Sequence, residues 1–478
     1  MINLIKNEVI KILHKKSIYI LFIVATFLFI LMCSLEKAFM NDAMDEFFYS
    51  EEILNSYDLN EPVELEMFVA DKTHIETYKL ADQYDEKSFK YYYVTNFVKE
   101  NISCMVNAEY VLKNQEAYNN CKLELDSSLN ELNTMSSNDF VKMKKNEVLS
   151  DIEELKLLRN NTNSKQIDKE IEKLNYYLYG YNYHLDNNIE YGYGDVSKRV
   201  RNYVEEAVSF EQELDEYKTN GYEITRYQEI ERMETEESIK VSRYMLDNKI
   251  ESSEDVAAAF VLSQIIEVGV FPFAIVLIVA GVIVAEEFNK GTIKQLLLRP
   301  YSRFKILMSK LITCLIVFLS FIILLTLIQS LIAGITFGFD SFFDPIIVYN
   351  FNTLKVEEYS FISYALINFM AILPQYLIIL LFVFFIGVLS CNSSVSIVFG
   401  TFLYLGATII EAFVMESTIK WLKFIPTMCW NFKEFLFGGL SYYKYASFSN
   451  SLIVTIITIL VLFIGSVIVF NKKEISNQ

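Results

Sequence analysis

Apolar residues form six long runs along this chain, separated by polar stretches of very different length. The runs cover residues 17–35, 257–285, 307–334, 361–389, 395–415 and 451–470. A helix of about 20 apolar residues, rising 1.5 Å per residue, crosses the hydrocarbon core of a bilayer. The pattern therefore predicts an all-α polytopic membrane protein with six transmembrane helices in the lipid bilayer.

Residues 1–16 have a different pattern, in which lysines separate apolar residues at helical spacing. Those apolar residues are Ile2, Ile5, Val9, Ile12 and Leu13. Such a pattern predicts a cytoplasmic amphipathic helix on the inner leaflet. Residues 17–35 then form the first transmembrane helix. A secretory signal peptide is the alternative, but the apolar run is longer than a signal core and no small-x-small cleavage pattern follows it.

Residues 36–256 are polar, acidic and rich in tyrosine, and we expect a mainly helical extracytoplasmic domain there. Two apolar stripes with spacings of 3, 4 and 7 flank the turn-like residues 160–164, which predicts a coiled-coil-like helical hairpin. Helices over 195–218 and 223–248 then lead back to the membrane. The stripes are Val141, Val148, Ile152 and Leu155, and Ile167, Ile171, Leu174, Leu178 and Leu185.

A cluster of tyrosines follows the second stripe. Its members are Tyr176, Tyr177, Tyr179, Tyr181, Tyr183, Tyr191 and Tyr193. Tyrosine offers amphipathic contact area at low entropic cost, so the cluster could contact a peptide or lipid substrate. The alternative, which we favour, is packing between helices.

Charge is unevenly distributed along the chain. The net charge is −18, and residues 36–256 carry about −23, which leaves about +5 for the rest. Lysine and arginine concentrate at the N-terminus, in residues 286–305 and at Lys472-Lys473. Cytoplasmic loops carry an excess of basic residues. The pattern predicts that both termini are cytoplasmic and that residues 36–256 are extracytoplasmic. The acidic balance also argues against a nucleic-acid partner.

Motifs of catalysis and metal binding are absent from the sequence. There is no G-x-x-x-x-G-K-[ST] phosphate-binding loop, no H-E-x-x-H and no G-x-S-x-G. Six scattered cysteines include no C-x-x-C pair, so a metal site is not supported. Cys104 and Cys121 are either a disulfide or buried free thiols, and we expect free thiols. We predict that the protein is not an enzyme.

The polar loop 286–305 lies between the second and third predicted spans. Thr292, after Gly291, is suited to cap a short helix, and Pro300 is suited to end it. Leu297 lies on the apolar face of that helix. The loop would therefore present a short amphipathic helix with basic flanks at the cytoplasmic surface. An ordinary basic loop that obeys the positive-inside rule is the alternative.

The order E-x-x-x-G-T-x-x-x-L-L-L-x-P-x-S-R, followed by a lysine, resembles the corresponding loop of type-2 ABC transporter permeases. The resemblance is strongest to their bacitracin-export and multidrug-export branch, extends more weakly to the spans and the N-terminal helix, and does not cover residues 36–256. In that family the loop is a coupling helix that sits in a groove of a separate ATPase subunit. The matching positions are Glu287, Gly291, Thr292, Leu297, Pro300, Ser302, Arg303 and Lys310.

The resemblance implies the membrane subunit of a bacterial exporter in the cell membrane, with a drug, an antimicrobial peptide or a lipid-like compound as substrate. Its partners would be a cytoplasmic ABC ATPase and a second permease copy or a related permease. No cofactor would bind directly, because ATP would act through the partner subunit.

Several residues within or beside the spans are candidates for a transport path. An ionisable residue inside a span is costly and usually faces a partner or a wet cavity, while proline kinks a helix. The candidates are Glu267, Pro272, Pro374, Gln375 and Glu411. Glu267 could instead lie at the outer interface. Residues 416–450 are amphipathic and aromatic, which predicts an interfacial or re-entrant outer segment.

Two classes of function remain. In the first, which we favour, the chain is an ABC exporter permease. In the second, it is a membrane-anchored sensor or adhesin whose outer domain does the work. A simple anchor has no need for the Glu287–Arg303 pattern, so that loop discriminates between them. An intramembrane enzyme lacks any recognisable nucleophile, metal set or acid–base pair.

Overall fold

The computed structural model describes residues 1–40, 51–161, 165–220, 224–250, 256–263, 270–283, 285, 287, 301–414 and 417–473. The protein is mostly helical, at 81%. It divides into two compact units, which we treat separately. The membrane unit contains Met1–Lys37, Ile224–Met233 and Ser252–Gln478, and the acidic unit contains Ala38–Glu223 and Glu234–Glu251.

Seventeen α-helices and two β-strands are described. In chain order the helices are α1 Ile2–Leu13, α2 Lys16–Met40, α3 Glu51–Leu54, α4 Pro62–Ala81, α5 Phe89–Tyr93, α6 Lys99–Tyr110, α7 Gln115–Thr134, α8 Ser137–Asn161, α9 Lys165–Asn187, α10 Asp195–Asn220, α11 Arg226–Asp247, α12 Ala257–Leu262, α13 Val270–Ile283, α14 Arg303–Phe337, α15 Phe361–Ser390, α16 Ser393–Val414 and α17 Phe448–Lys472. The strands are β1 Ile346–Asn350 and β2 Lys355–Tyr359.

Five described helices are long and apolar enough to cross a membrane: α2, α14, α15, α16 and α17. The second of the six predicted spans is represented by α12 and by α13, a shorter apolar helix. Residues 264–269, between those two helices, lie outside the described residues. Five spans of the predicted six are therefore supported by helix length and composition.

The start of α14 lies beside the last residues of α17 and the end of α15, and the end of α14 lies beside the end of α2, so the unit has two ends. We call the end with α1 and Ser302 the loop end, and the end with β1 and β2 the hairpin end. Serine side chains cap three of the helices. Ser302 accepts a hydrogen bond from Lys305 N, Ser360 from Ser363 N and Ser447 from Asn450 N. An N-cap hydroxyl satisfies a backbone N–H that the first helical turn leaves free.

A β-hairpin connects α14 to α15 and corrects the purely α-helical prediction. β1 and β2 pair antiparallel, with Ile346 opposite Tyr359 and Asn350 opposite Lys355. The connection is too short for a helix pair and carries β-branched residues that favour extended backbone. Beyond the strands, Phe351 N donates to Phe437 O at 2.7 Å. Gly438 has a φ of 85°, and a Cβ there would lie 2.9 Å from Asn352 N, so the hairpin fits closely against this turn.

Residues 417–447 contain short 3₁₀ turns that contact both α15 and α17. Phe432 N donates to Ala371 O at 3.3 Å, and Thr455 Oγ1 donates to Cys429 O at 3.2 Å. Pro374 has no N–H to donate within α15, so the helix is weakened next to this contact. Trp430 is 2% exposed. Ala371 lies ten positions after the first residue of α15, so the segment contacts that helix about 15 Å from its start.

The acidic unit contains the predicted helical hairpin, formed by α8 and α9. Val141 and Ile152 of the first stripe are buried, while the second stripe is half-buried. The tyrosines pack into two cores. Tyr176, Tyr177, Tyr179 and Tyr183 lie against Val200 and Tyr203, and Tyr181, Tyr191 and Tyr193 lie against the cluster around Phe89 and Phe140. These contacts support packing rather than substrate contact as the role of the cluster.

Our expectation of free thiols in this unit is wrong. Cys104 of α6 and Cys121 of α7 form a disulfide, with their Cα atoms 5.7 Å apart. Such a separation lies within the range that a disulfide requires. The bridge joins two packed helices that are connected by only a short turn. Sequence separation alone did not reveal that their cysteines face each other.

A small cavity of about 40 Å³ lies among α9, α10 and the Tyr191 turn. His184 lines it and is 1% exposed. Its Nδ1 lies 3.1 Å from Ile189 O, which can only accept, so Nδ1 carries the proton. Its Nε2 has no hydrogen-bond partner among the described residues. Burial, opposed by the hydrogen bond to Ile189 O and assisted by the nearby Arg201 cation, lowers the pKa of His184 to about 4.

We therefore predict that the acidic unit loses stability as the pH falls from about 6.5 to about 4. His184 is neutral in the folded state, and the unfolded chain binds the proton first, at a pKa of about 6.5. The loss attributable to His184 should reach about 3 kcal/mol at the acid end of this window. Urea unfolding of the full chain, followed by near-UV circular dichroism of tyrosine, measures it.

His184→Asn is the matched variant, because Asn keeps a donor for Ile189 O but does not titrate. The carboxyl groups titrate equally in both proteins, so the difference between their two profiles of stability against pH isolates the contribution of His184. Parallel profiles for the wild type and the variant would contradict the prediction.

Candidate functional site

Four charged side chains form a ring of ion pairs at the loop end, which we call the charge network. Glu8, Glu287 and Lys310 are buried in it, and Lys11, whose side chain is 52% exposed, closes the ring at the surface. Lys310 Nζ lies 3.0 Å from Glu8 Oε2 and 2.8 Å from Glu287 Oε2. Lys11 Nζ lies 3.0 Å from Glu8 Oε1 and 2.9 Å from Glu287 Oε1. Each carboxylate thus binds both ammonium groups. The ring joins α1, residue 287 and α14.

Helix α1 contributes two of the four side chains. Its buried residues are Leu4, Glu8 and Ile12, which recur every four positions along one face. Ile2 and Leu13 of the predicted apolar stripe do not pack against the protein, since they are 81% and 44% exposed. Glu8 is the only acidic residue of the first sixteen. A lone carboxylate on the buried side of a basic amphipathic helix is the sequence signal for this network.

Lys310 is the most deeply buried member of the network, at 0% exposure. In addition to its two carboxylates, its Nζ donates to Ile283 O at 3.2 Å, near the end of α13. Two hydrogen bonds, to Glu8 Oε2 and Ile283 O, and the ion pair with Glu287 therefore surround the ammonium group. A buried charge is tolerated only when it is paired and hydrogen-bonded in this way.

The network carries two negative and two positive charges, and its electrostatics favour the charged forms. Burial alone would raise the pKa of Glu287, but the Lys310 and Lys11 ammonium groups outweigh burial and leave that pKa below its usual value. Burial alone would lower the pKa of Lys11, yet Glu287 and Glu8 raise it. Both groups are consequently charged at neutral pH.

Two further cations hold the loop end together by capping helix C-termini. Arg303 Nη1 donates to Asn471 O at 2.9 Å and to Lys473 O at 3.0 Å, at the end of α17. Lys473 Nζ donates to Val388 O at 2.9 Å and to Leu389 O at 2.8 Å, at the end of α15. Basic groups near the last carbonyls of a helix also oppose its dipole.

Four of the eight predicted coupling residues can be placed. Glu287 and Lys310 meet in the charge network, Ser302 caps α14, and Arg303 binds carbonyls at the end of α17. Gly291, Thr292, Leu297 and Pro300 lie outside the described residues. Sequence reasoning missed Glu8 and Lys11, which are separated from their partners by about 300 residues of chain.

The predicted path residues are distributed along the unit. Pro272 is buried in α13, Pro374 and Gln375 are half-buried in α15, and Glu267 lies outside the described residues. Glu411, near the end of α16, hydrogen-bonds to the Trp430 side chain. Within the described ranges, no group of three or more His, Cys, Asp or Glu residues is placed to hold a metal ion.

The structure is mostly helical, with five described helices apolar enough to cross a membrane, and its N-terminal helix is ion-paired to Glu287 and Lys310. Residues 228–476 match the family described as "Protein of unknown function (DUF2705)", and the chain belongs to that family. This match includes Glu287 and Lys310 and excludes α1 and most of the acidic unit.

The uncharacterized protein YhcI of Bacillus subtilis (strain 168) is 26% identical over 241 residues, which is 50% of this chain and 76% of that protein. No solved structure matches the chain.

We predict that Lys310→Met destabilises the membrane unit by about 3–5 kcal/mol, because two buried carboxylates would then share one ammonium group. Adding Glu287→Gln should restore part of that stability, since Glu8 and Lys11 would remain as a neutral pair at 3.0 Å. Thermal unfolding in detergent, monitored by helical circular dichroism, gives the double-mutant cycle.

Lys305→Met is the control for loss of one lysine from the same helix. Lys305 is exposed, so its replacement should change stability by less than about 0.5 kcal/mol. Strictly additive effects of Lys310→Met and Glu287→Gln would show that the ion pairs do not act as one network.

Proposed function

We propose that this chain is the membrane-spanning permease subunit of an ABC exporter. The observation that carries the proposal is the charge network. It fixes Glu287 and Lys310, the first and last residues of the permease-like loop pattern, to each other and to α1. Force applied to the loop would therefore reach α13, α14 and α1 together.

The mechanism follows from this connection. A cytoplasmic ATPase would bind the loop between Glu287 and Ser302, with Leu297 and its apolar neighbours in a groove of that partner. ATP-driven closure of two ATPases would move the loops, and the helices on either side would follow as rigid bodies. Rigid-body transmission requires a stiff joint, and an ion network with three buried members, Glu8, Glu287 and Lys310, is stiffer than a fully solvated one.

The proposed topology places the loop end in the cytoplasm, with six spans and both termini on that side. The basic residues of 286–305 and the Lys472-Lys473 pair support this orientation. Residues 36–256 would lie outside the cell membrane of a bacterium. The Cys104–Cys121 disulfide supports that location, because disulfides persist in oxidising compartments.

Two copies, or one copy with a related permease, would enclose the path, and the cargo would be a drug, an antimicrobial peptide or a lipid-like compound. The loop pattern supports this proposal through its resemblance to bacitracin and multidrug exporters. The second candidate is a membrane-anchored sensor or adhesin, which the size of the acidic unit favours. That candidate gives no role to a charge network at the boundaries of the loop.

We predict that a cytoplasmic ABC ATPase co-purifies with the tagged wild-type protein and is lost from Leu297→Asp. A carboxylate on the apolar ridge of the loop would oppose docking in a groove. Detergent pull-down with quantitative mass spectrometry measures the partner. Arg303→Glu is less suited to this test, because it would also disturb the end of α17.

Leu354→Asp is the matched control. Leu354 is 71% exposed in the β1–β2 turn, at the opposite end of the unit. The ATPase should remain bound to that variant. Capture of cell-envelope proteins without any ATPase, in the wild type and in both variants, would favour the sensor or adhesin.

A further inference from the structure

An apolar groove of about 540 Å³ opens on the surface of the membrane unit, toward the hairpin end. Its walls come from α15, from the 3₁₀ turn at residues 432–436 and from the first two turns of α17. Leu366, Met370 and Pro374 line one side, and Phe448 and Leu452 line the other. Its volume is typical of small-molecule sites, which span about 300–1,000 Å³.

The groove lies along helix segments that are apolar enough to cross a membrane. Its residues on α15 begin five positions after Phe361 and end thirteen positions after it, which corresponds to about 8–20 Å along the helix. Its residues on α17 occupy the first eight positions of that helix. The groove therefore runs through one half of a hydrocarbon core about 30 Å thick.

The lining excludes an occupant that needs hydrogen bonds. Ten of the eleven lining side chains are apolar, and the exception is Thr455. Its Oγ1 already donates to Cys429 O at 3.2 Å. A peptide segment in the groove would find at most the Thr455 hydroxyl as a side-chain acceptor, so most of its backbone N–H groups would stay unpaired, at high cost in such surroundings.

A transmembrane helix of a second copy also fits poorly. Helix pairs in membranes approach through small residues such as Gly, Ala and Ser, which allow close backbone contact. Here the walls are leucine, methionine and phenylalanine, with Ala371 as the small exception. A concave site with large apolar walls suits a narrow and flexible hydrocarbon chain better than a helix.

Access to the groove is open from the side of the bilayer. Leu366 is 53% exposed, Met370 is 61% exposed and Leu452 is 41% exposed. These side chains continue the lipid-facing surface of α15 and α17, so a chain that lies in the bilayer can enter sideways. We propose that the groove is a binding site for a hydrocarbon chain of a bilayer lipid and that the cargo is lipid-like. The second half of this inference rests on the proposed exporter function.

Photolabelling tests the site directly. The full chain is placed in nanodiscs that contain a phospholipid with a diazirine on its acyl chain, irradiated, and mapped by mass spectrometry. Adducts should concentrate in residues 366–374 and 448–455. The reference surface is the exposed stretch of α14 at Ile323 and Leu327, which are 62% and 63% exposed. Equal labelling density on α14 and in the groove would overturn the proposal, since it would indicate annular lipid only.

Filling the groove provides the second test. Met370→Trp should abolish groove adducts, and Leu452→Trp should do the same from the opposite wall. Leu327→Trp, on the reference surface, should leave them intact. Retention of groove adducts in a folded filling variant would contradict the proposal. If neither filling variant folds, the wild-type map alone decides.

The two proposals fail in distinguishable ways. Groove labelling without a co-purified ATPase would retain the lipid site and reject the exporter. A co-purified ATPase with uniform labelling would retain the exporter and remove the lipid-like cargo. The labelling needs neither ATP nor the partner subunit, so its result is independent of docking.

Discussion

The ion-pair ring of Glu8, Lys11, Glu287 and Lys310 is the constraint on which the loop end depends. Three of its charges, on Glu8, Glu287 and Lys310, are removed from water, and they are tolerated only because each ammonium group of the ring meets two carboxylates at 2.8–3.0 Å. The geometry must therefore be kept, and with it the relative placement of α1, residue 287 and α14. Such a network contributes specificity of arrangement more than net stability. Under the proposed exporter function, a network fixed at Glu287 and Lys310 would transmit movement of the loop to α1 and α14.

The two ends of the membrane unit are held by different interactions. At the loop end, cations bind carboxylates and the last carbonyls of helices, as Arg303 and Lys473 do. At the hairpin end, the 417–447 segment and the β-hairpin are joined through backbone and aromatic contacts, such as Phe351 N to Phe437 O. Charge therefore fixes the end where we propose that a partner docks, and the apolar groove lies toward the other end.

Hydrophobic runs and periodicity predicted most of the fold, because each long helix is encoded by a contiguous stretch. Five helices apolar enough to cross a membrane and the α8–α9 hairpin followed from local pattern. The ion pairs to Glu8 and Lys11 did not, since pairing across about 300 residues depends on tertiary packing. The β-hairpin was missed because five-residue strands give a weak signal. The disulfide depended on a Cα separation that spacing does not encode.

Pulsed electron spin resonance on the membrane-embedded protein tests the central claim most directly, namely that the network fixes α1 to α14. Spin labels at Ile2, which is 81% exposed, and at Phe304, which is 47% exposed, report the distance between the two helices. Cys391 is replaced by Ser so that no half-exposed native thiol reacts. The account predicts one narrow distance distribution, which broadens in Glu8→Ala. A broad distribution in the intact protein, or equal widths in the two proteins, would contradict it.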